Sequence, residues 1–270
     1  MAVSIFRPTR SCPSTWRRHF SASAARCINA YDSTISNLRL DKNTAVVYQG
    51  FTGKAATANA KDTIAYGTRI VGGISPGKGG STHLDLPVFN TVEEAMKTVR
   101  PHCRVGIMPY KQYQRGCIGI VSKSGTLSYE AVGATSAVGL GQSIVLGMGG
   151  DLLPGTTLAD GLRLFFEDEE TKGIIVIGEI GGEAELRAAE LIREYRQSTP
   201  RPKPIVAMVA GRMAPLGRIM GHAGAVLTPR DVPADIKAKA LEDAGAVVVP
   251  HPGVMGVTMK RLLEVDSIKK

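Results

Sequence analysis

Long apolar runs are absent from this 270-residue chain. The longest, Gly173 to Gly178 and Pro204 to Gly211, fall well short of the roughly 18 to 20 residues that cross a bilayer, so no membrane span is expected. Cysteine is scarce as well. Cys12, Cys27, Cys103 and Cys117 are spaced neither like zinc ligands nor like a disulfide framework, which fits a reducing compartment and no metal site. Internal repeats and low-complexity segments are missing. A charged fraction of 21%, with 31 Gly and 15 Pro, argues against disorder and against a collagen-like repeat. Hydrophobic residues make up 43%, enough for one large or two ordinary domain cores, so a soluble globular chain is expected.

Acidic side chains are missing from residues 1–31. That stretch holds Arg7, Arg10, Arg17, Arg18 and Arg26 among many Ser and Ala, notably Arg17 to Ser23. Such a composition is that of a mitochondrial transit peptide, and matrix localisation is the expectation; a tail without a targeting role is the alternative. Without those five arginines, 28 basic side chains face 24 acidic ones and the net charge falls from +9 to +4. The remainder is spread without a Lys/Arg tract or interleaved aromatics, so nucleic-acid binding loses its main support.

From Thr44 onward, short β-branched runs alternate with Gly-rich turns and helical stretches, the rhythm of parallel βα units. The pattern predicts strands over 44–49, 69–72 and 87–89 and helices over 57–66 and 92–99. Residues 100–117, basic and acid-free, read as a connection. A fuller series follows: strands 118–121, 143–147, 174–177, 205–209 and 246–249. Helices are predicted from 126 and over 157–167, 183–197, 232–244 and 254–264. Short buried strands joined by helices imply a parallel sheet covered on both faces, with ligands at the carboxyl ends of the strands. The first part offers only three strands, which is thin for a covered sheet.

Five Gly-bearing loops can carry chemistry. Gly50 to Ala56 follows a strand and opens a helix, where free amides and the helix dipole receive phosphate. Its G-x-x-G-x-x-A spacing departs from the dinucleotide G-x-G-x-x-G, and no acid lies between Asp62 and Asp85 to hold a ribose. Lys78, set among Gly77, Gly79 and Gly80, suits a phosphorylated ribose such as that of NADP or coenzyme A. Two tight Gly-rich turns without a ligand remain the plainer alternative. Ser122 to Thr126 has the same strand-to-helix placement and fits a second phosphate cradle or an ordinary helix cap equally. His222 lies in the Gly-flanked Arg218 to Ala225 loop after a strand. A neutral imidazole attacks phosphorus when a carboxylate holds its other nitrogen as N–H donor, and Glu179, in Ile177 to Gly182 after a neighbouring strand, is the natural partner. Of the other histidines, His19 falls in the leader, while His83, His102 and His251 lack a carboxylate-bearing Gly loop. A lone histidine is nonetheless more often structural.

With these segments assembled, the chain resembles the alpha subunits of succinyl-CoA synthetase (succinate–CoA ligase) in their mitochondrial form. The match runs through Gly50 to Lys54, Val71 to Gly80, His83 to Thr91, Gly119 to Val132, Gly147 to Asp151, Ile177 to Gly182 and Met220 to Ala225. The resemblance implies an α/β fold: a truncated Rossmann-like CoA-binding module over 38–100, a linker over 101–117 and a flavodoxin-like parallel-sheet ligase domain over 118–266. It implies a beta-subunit partner in a heterodimer, which binds Mg-ATP or Mg-GTP, and a phosphohistidine that carries phosphate between sites during succinyl-CoA formation in the tricarboxylic acid cycle. His222 matches the phosphorylated histidine and Glu179 its glutamate. Ser124, Gly125 and Thr126 match the helix start that holds phosphate, Tyr129 the organic-acid (succinate) site, and Thr52, Gly53, Lys54, Ala55 and Lys78 the coenzyme A contacts.

The departures from the family pattern are specific. Between His102 and Cys103 roughly 60 to 70 residues of that pattern are missing, a length spanning further βα units. Ala58-Asn59, Arg212-Met213 and Thr228 to Asp231 replace Phe-His, an apolar-Thr pair and a Gly-rich lysine loop. Besides an active ligase subunit, an impaired or mis-spliced paralogue that binds the beta subunit but not coenzyme A fits the missing segment. A free-standing nucleotide-dependent oxidoreductase is disfavoured by the Gly spacing and the absent acid.

Overall fold

The computed structural model describes residues 43–99, 103–105 and 112–268. The expected leader over 1–31 lies outside the described residues. Two sheets organise the rest. In the first, β1 (Val46–Gln49) pairs in parallel with β2 (Ile70–Ile74) on one side and β5 (Cys103–Val105) on the other. β4 (Leu86–Phe89) runs parallel along β2, and the short β3 (Thr82–His83) closes the edge antiparallel to β4. Along β1 the side chains alternate. Val47 packs with Ile74, Phe89 and Ala95 on one face, while Tyr48 packs with Phe51, Ala60, Ile70 and Val88 on the other. Both faces are therefore covered, as in a parallel sheet.

The order β3-β4-β2-β1-β5 sets the four parallel strands in the sequence 3-2-1-4 of a Rossmann sheet, with no fifth or sixth strand among the described residues. Two expectations change here. The segment read as a connection over 101–117 contributes β5 and the beginning of the second sheet, and the three-stranded module is five-stranded. The helix α1 (Lys54–Ala65) begins three residues earlier than predicted, because Gly53 in extended conformation ends the turn. Gly73 is where a Cβ would overlap the Phe51 ring, so the strand passes directly under that aromatic. The helix α2 (Val92–Thr98) is capped by the Thr91 hydroxyl, which accepts the Glu94 N–H.

The second sheet is entirely parallel. It comprises β6 (Arg115–Ser122), β7 (Gln142–Gly147), β8 (Gly173–Glu179), β9 (Ile205–Ala210) and β10 (Val247–Val248), in the order β10-β9-β8-β6-β7. Helices α3 (Gly125–Ala137), α4 (Leu158–Glu167), α5 (Ala184–Ser198), α6 (Ala234–Asp243) and α7 (Met255–Ile268) connect or close the strands. This is the flavodoxin-like order, and the predicted elements all occur within a few residues of their expected bounds. β8 is buried along its whole length. Ile118, Ile120, Ile175, Ile177 and Val206 form a core with Ala131 and Val132 of α3 and Met255 and Met259 of α7. Each such aliphatic side chain contributes on the order of 1.5 to 3 kcal/mol by leaving water. The strand order reverses between β6 and β8, and the crevice at such a switch point is where open α/β sheets bind ligands.

Candidate active site

At that crevice the loops after β6, β7, β8 and β9 converge. The hairpin after β9 is pinched by a bridge between Ile219 and Val226 and by Met220 N–H donating to Ala225 O, with His222 at its tip. It docks on the β7 loop through Gly224 N–H to Gly150 O at 2.8 Å. The β6 loop is tied to β8 by Lys123 N–H to Ile177 O and to the β7 loop by Met148 N–H to Ser122 O. Three loops and strand β8 are thus locked together by backbone hydrogen bonds.

His222 Nδ1 lies 2.7 Å from Glu179 Oε2. The Glu179 side chain is buried, while His222 stays 33% exposed. An ionised carboxylate offers only acceptors, so in the neutral ring this contact selects the tautomer with its proton on Nδ1 and its lone pair on Nε2. Gly150 backs the ring closely enough that a Cβ there would overlap it. Under Glu179 lies a charge cluster. Glu185 Oε1 accepts the Glu179 N–H at 3.0 Å, and Glu185 Oε2 pairs with Lys237 at 2.6 Å. Lys237, fully buried, also donates to Glu179 O and Gly181 O at 2.9 Å each. Lys123 Nζ sits 3.7 Å from Glu179 and 3.4 Å from Glu185.

The expected phosphate residues belong to this same edge. Ser124 caps α3 by accepting the Leu127 N–H, Ser122 Oγ accepts the Ser124 N–H, and Gly125 and Thr126 open the helix exposed to solvent. Tyr129, one turn on, neighbours Tyr113, whose hydroxyl is pushed up to about 12 by burial and then by the proximity of Tyr129.

The expected coenzyme A residues gather on the first sheet. Thr52 donates both its amide and its hydroxyl to Ser75 Oγ at 3.1 Å, which joins the loop after β1 to the loop after β2. Gly53, Lys54 and Ala55 are exposed at a helix start with no side-chain cap and no acid in its first turn. Lys78, also exposed, stands between Gly77 and Gly79, whose amides both donate to Asn90 Oδ1 at 2.9 Å. Ser75 and Asn90 shape these loops and were missed from the sequence, as were Gly150, Glu185 and Lys237. Lys123 lay inside the phosphate string without a role of its own.

Two comparisons follow the sequence. Residues 121–247 match the CoA-ligase family and residues 41–128 the CoA binding domain. The chain is 37% identical to the succinate–CoA ligase [ADP-forming] subunit alpha 1 of Archaeoglobus fulgidus over 290 positions, covering 83% of this chain and 98% of that protein. Since 83% of 270 residues is about 224, about 66 of those positions have no counterpart here. It is 36% identical to the corresponding alpha subunit of Aquifex aeolicus (86% and 96% covered) and 34% identical to the malate–CoA ligase subunit alpha of Methylorubrum extorquens (84% and 98%).

A third comparison follows the structure. The fold aligns with ATP citrate lyase from Methanothrix soehngenii in complex with citrate and coenzyme A, at a TM-score of 0.72 and 21% identity. That alignment covers 86% of this chain but only 52% of the lyase chain, so it bears on architecture alone.

Proposed function

The chain belongs to the alpha-subunit family of succinate–CoA ligases, and on that premise we propose that it is the phosphohistidine-bearing half of a two-subunit acid–thiol ligase. What carries this proposal is the 2.7 Å contact between His222 Nδ1 and Glu179 at the crevice of the second sheet. Glu179 fixes the tautomer, so Nε2 is free to attack the terminal phosphorus of Mg-ATP or Mg-GTP held by a beta subunit. An N–P bond forms, the P–O bond to the nucleoside diphosphate breaks, and the ring becomes a cation whose charge Glu179 answers. A carboxylate oxygen of succinate then attacks phosphorus, the N–P electrons return to the ring, and an acyl phosphate results. In this reading Tyr129, one turn into α3, lines the organic-acid site. The start of α3, Ser124 to Thr126, supports the phosphoryl oxygens, the dipole contributing roughly 1 kcal/mol and each charge-assisted hydrogen bond about 1.5 to 3.

Coenzyme A supplies the thiol that takes the acyl group and releases phosphate. The first sheet fits its phosphates in one respect: the uncapped start of α1 is free of acids and carries Lys54, with Lys78 exposed on the joined loop. Thr52, Gly53 and Ala55 shape that helix start. The acid-free, Arg- and Ser-rich start of the chain supports delivery to the mitochondrial matrix, where the reaction belongs to the tricarboxylic acid cycle. Mixing the chain with a beta subunit, triphosphate, succinate and coenzyme A should form a thioester absorbing near the ultraviolet edge; no thioester with any triphosphate would refute the activity.

A second reading rests on two observations: among the described residues the first sheet has four of the six Rossmann strands, and about 66 positions of a relative are unmatched. An impaired paralogue would retain the His222 site and the beta partner but lose coenzyme A. Calorimetric titration separates the two, because heat of binding with coenzyme A excludes the impaired form and silence alongside normal phosphorylation establishes it.

A further inference from the structure

Beneath the His222–Glu179 pair lies a charge count that the reaction does not by itself explain. Glu179 uses Oε2 on the imidazole, while its Oε1 is buried without a hydrogen-bond partner among the described residues. Lys237 cannot answer it. Its three N–H donors are committed to Glu185 Oε2, Glu179 O and Gly181 O. The cation facing the orphaned oxygen is Lys123, at 3.7 Å from it and 3.4 Å from Glu185 Oε1, with its side chain 11% exposed. Two lysines thus balance two buried glutamates, and the cluster is neutral when the imidazole is neutral.

We propose that Lys123 is a positioning residue that keeps His222 in its nucleophilic, neutral form by supplying the second half of the Glu179 counter-charge. The inference rests on His222 being the nucleophile. Without Lys123, one uncompensated negative charge would remain buried against the ring. Protonating Nε2 is then the least costly way to neutralise it, and that proton occupies the lone pair needed for attack. The other charged groups nearby do not substitute. Asp151 on the β7 loop and Glu183 before α5 are exposed acids, Asp231 is bonded to the Thr228 amide, and Arg212 pairs with Asp235 at 3.3 Å.

The test follows the ring nitrogens by NMR in the full chain carrying ¹⁵N-histidine, with His222 assigned through His222→Asn. In Lys123→Met and Lys123→Gln, protonation of the ring should extend upward by about one pH unit, a tenfold loss of neutral imidazole at a given pH. Lys123→Arg should restore the wild-type curve, and Lys97→Met, at an exposed pair with Glu93, should leave it unchanged. With beta subunit and triphosphate, Lys123→Met should phosphorylate slowly near neutrality and recover at higher pH, whereas a merely structural defect slows the reaction at every pH. Wild-type titration in both neutral variants, while Glu179→Gln moves the ring, would overturn the role of Lys123. If Glu179→Gln also left the ring unmoved, the pairing beneath the proposal would fall instead.

Discussion

Gly150 lies under the His222 ring, so close that a Cβ built on it would overlap Nδ1, the atom that bonds Glu179. The nucleophile is therefore held by two groups: by a carboxylate bonded to Nδ1 and by bare backbone packed against the ring. Gly150→Ala should push the ring off Glu179 while the fold persists. Displacements of this size cost on the order of 100-fold in well-aligned reactions, and the rate of His222 phosphorylation measures it directly. A variant as fast as wild type would show that the close approach is incidental.

Lys237 and Glu185 form a fully buried pair that also holds the backbone of Glu179 and Gly181. Lys237→Met removes one partner and leaves a carboxylate uncompensated, which costs about 3 to 5 kcal/mol. Urea denaturation should show that loss. A variant within 1 kcal/mol of wild type, on the scale of roughly 0–1 for exposed pairs, would mean that the pair contributes little.

This buried pair marks the border of what the sequence reveals by itself. His222 and Glu179 are legible because one lies in a Gly-flanked loop after a strand and the other ends a strand at a Gly-rich loop, and parallel strands deliver these ends to one edge. Glu185 and Lys237 are not, since each sits in a helix rich in charged residues, where a solvated face is the ordinary outcome. Their burial depends on α5 and α6 packing together, a tertiary fact without a local signature. β5 escaped for another reason: three residues within a basic, acid-free stretch carry no periodicity, and its pairing with β1 is long-range. α1 starts ahead of its predicted bound because Gly53 reads as loop but serves as the residue that caps the helix.

The turn joining β3 to β4 holds Leu84 at φ 51° and Asp85 at φ 60°, a left-handed conformation that two-residue hairpins reserve for Asn and Gly. A leucine there is strained by roughly 1 to 2 kcal/mol. Leu84 also packs on the Tyr48, Phe51 and Val88 cluster, so the exchange that relieves strain without losing apolar contact is Asp85→Gly, which should raise the melting temperature by about 2 to 4 °C for each kcal/mol gained. A lower melting temperature would contradict the strain.

In the loop beyond His222, Asp231 Oδ2 accepts the Thr228 N–H at 2.7 Å. Hydrogen bonds from the Thr228 side chain and amide hold its carboxyl below the usual 3.8. The charged form is therefore favoured in the folded state. Its contribution is present above the unfolded value and fades as pH falls through the folded one. Wild type and Asp231→Asn should differ by a constant amount between pH 7 and 5 and converge as the solution is acidified further. A difference that ignores pH would contradict this assignment.

The central claim is that His222 carries a phosphoryl group. Incubating the chain and a beta subunit with γ-labelled ATP or GTP, then comparing the stability of the label in acid and in alkali, tests it most directly. Label that is lost in acid, survives alkali and disappears in His222→Asn is the predicted result; label that persists in His222→Asn would contradict it.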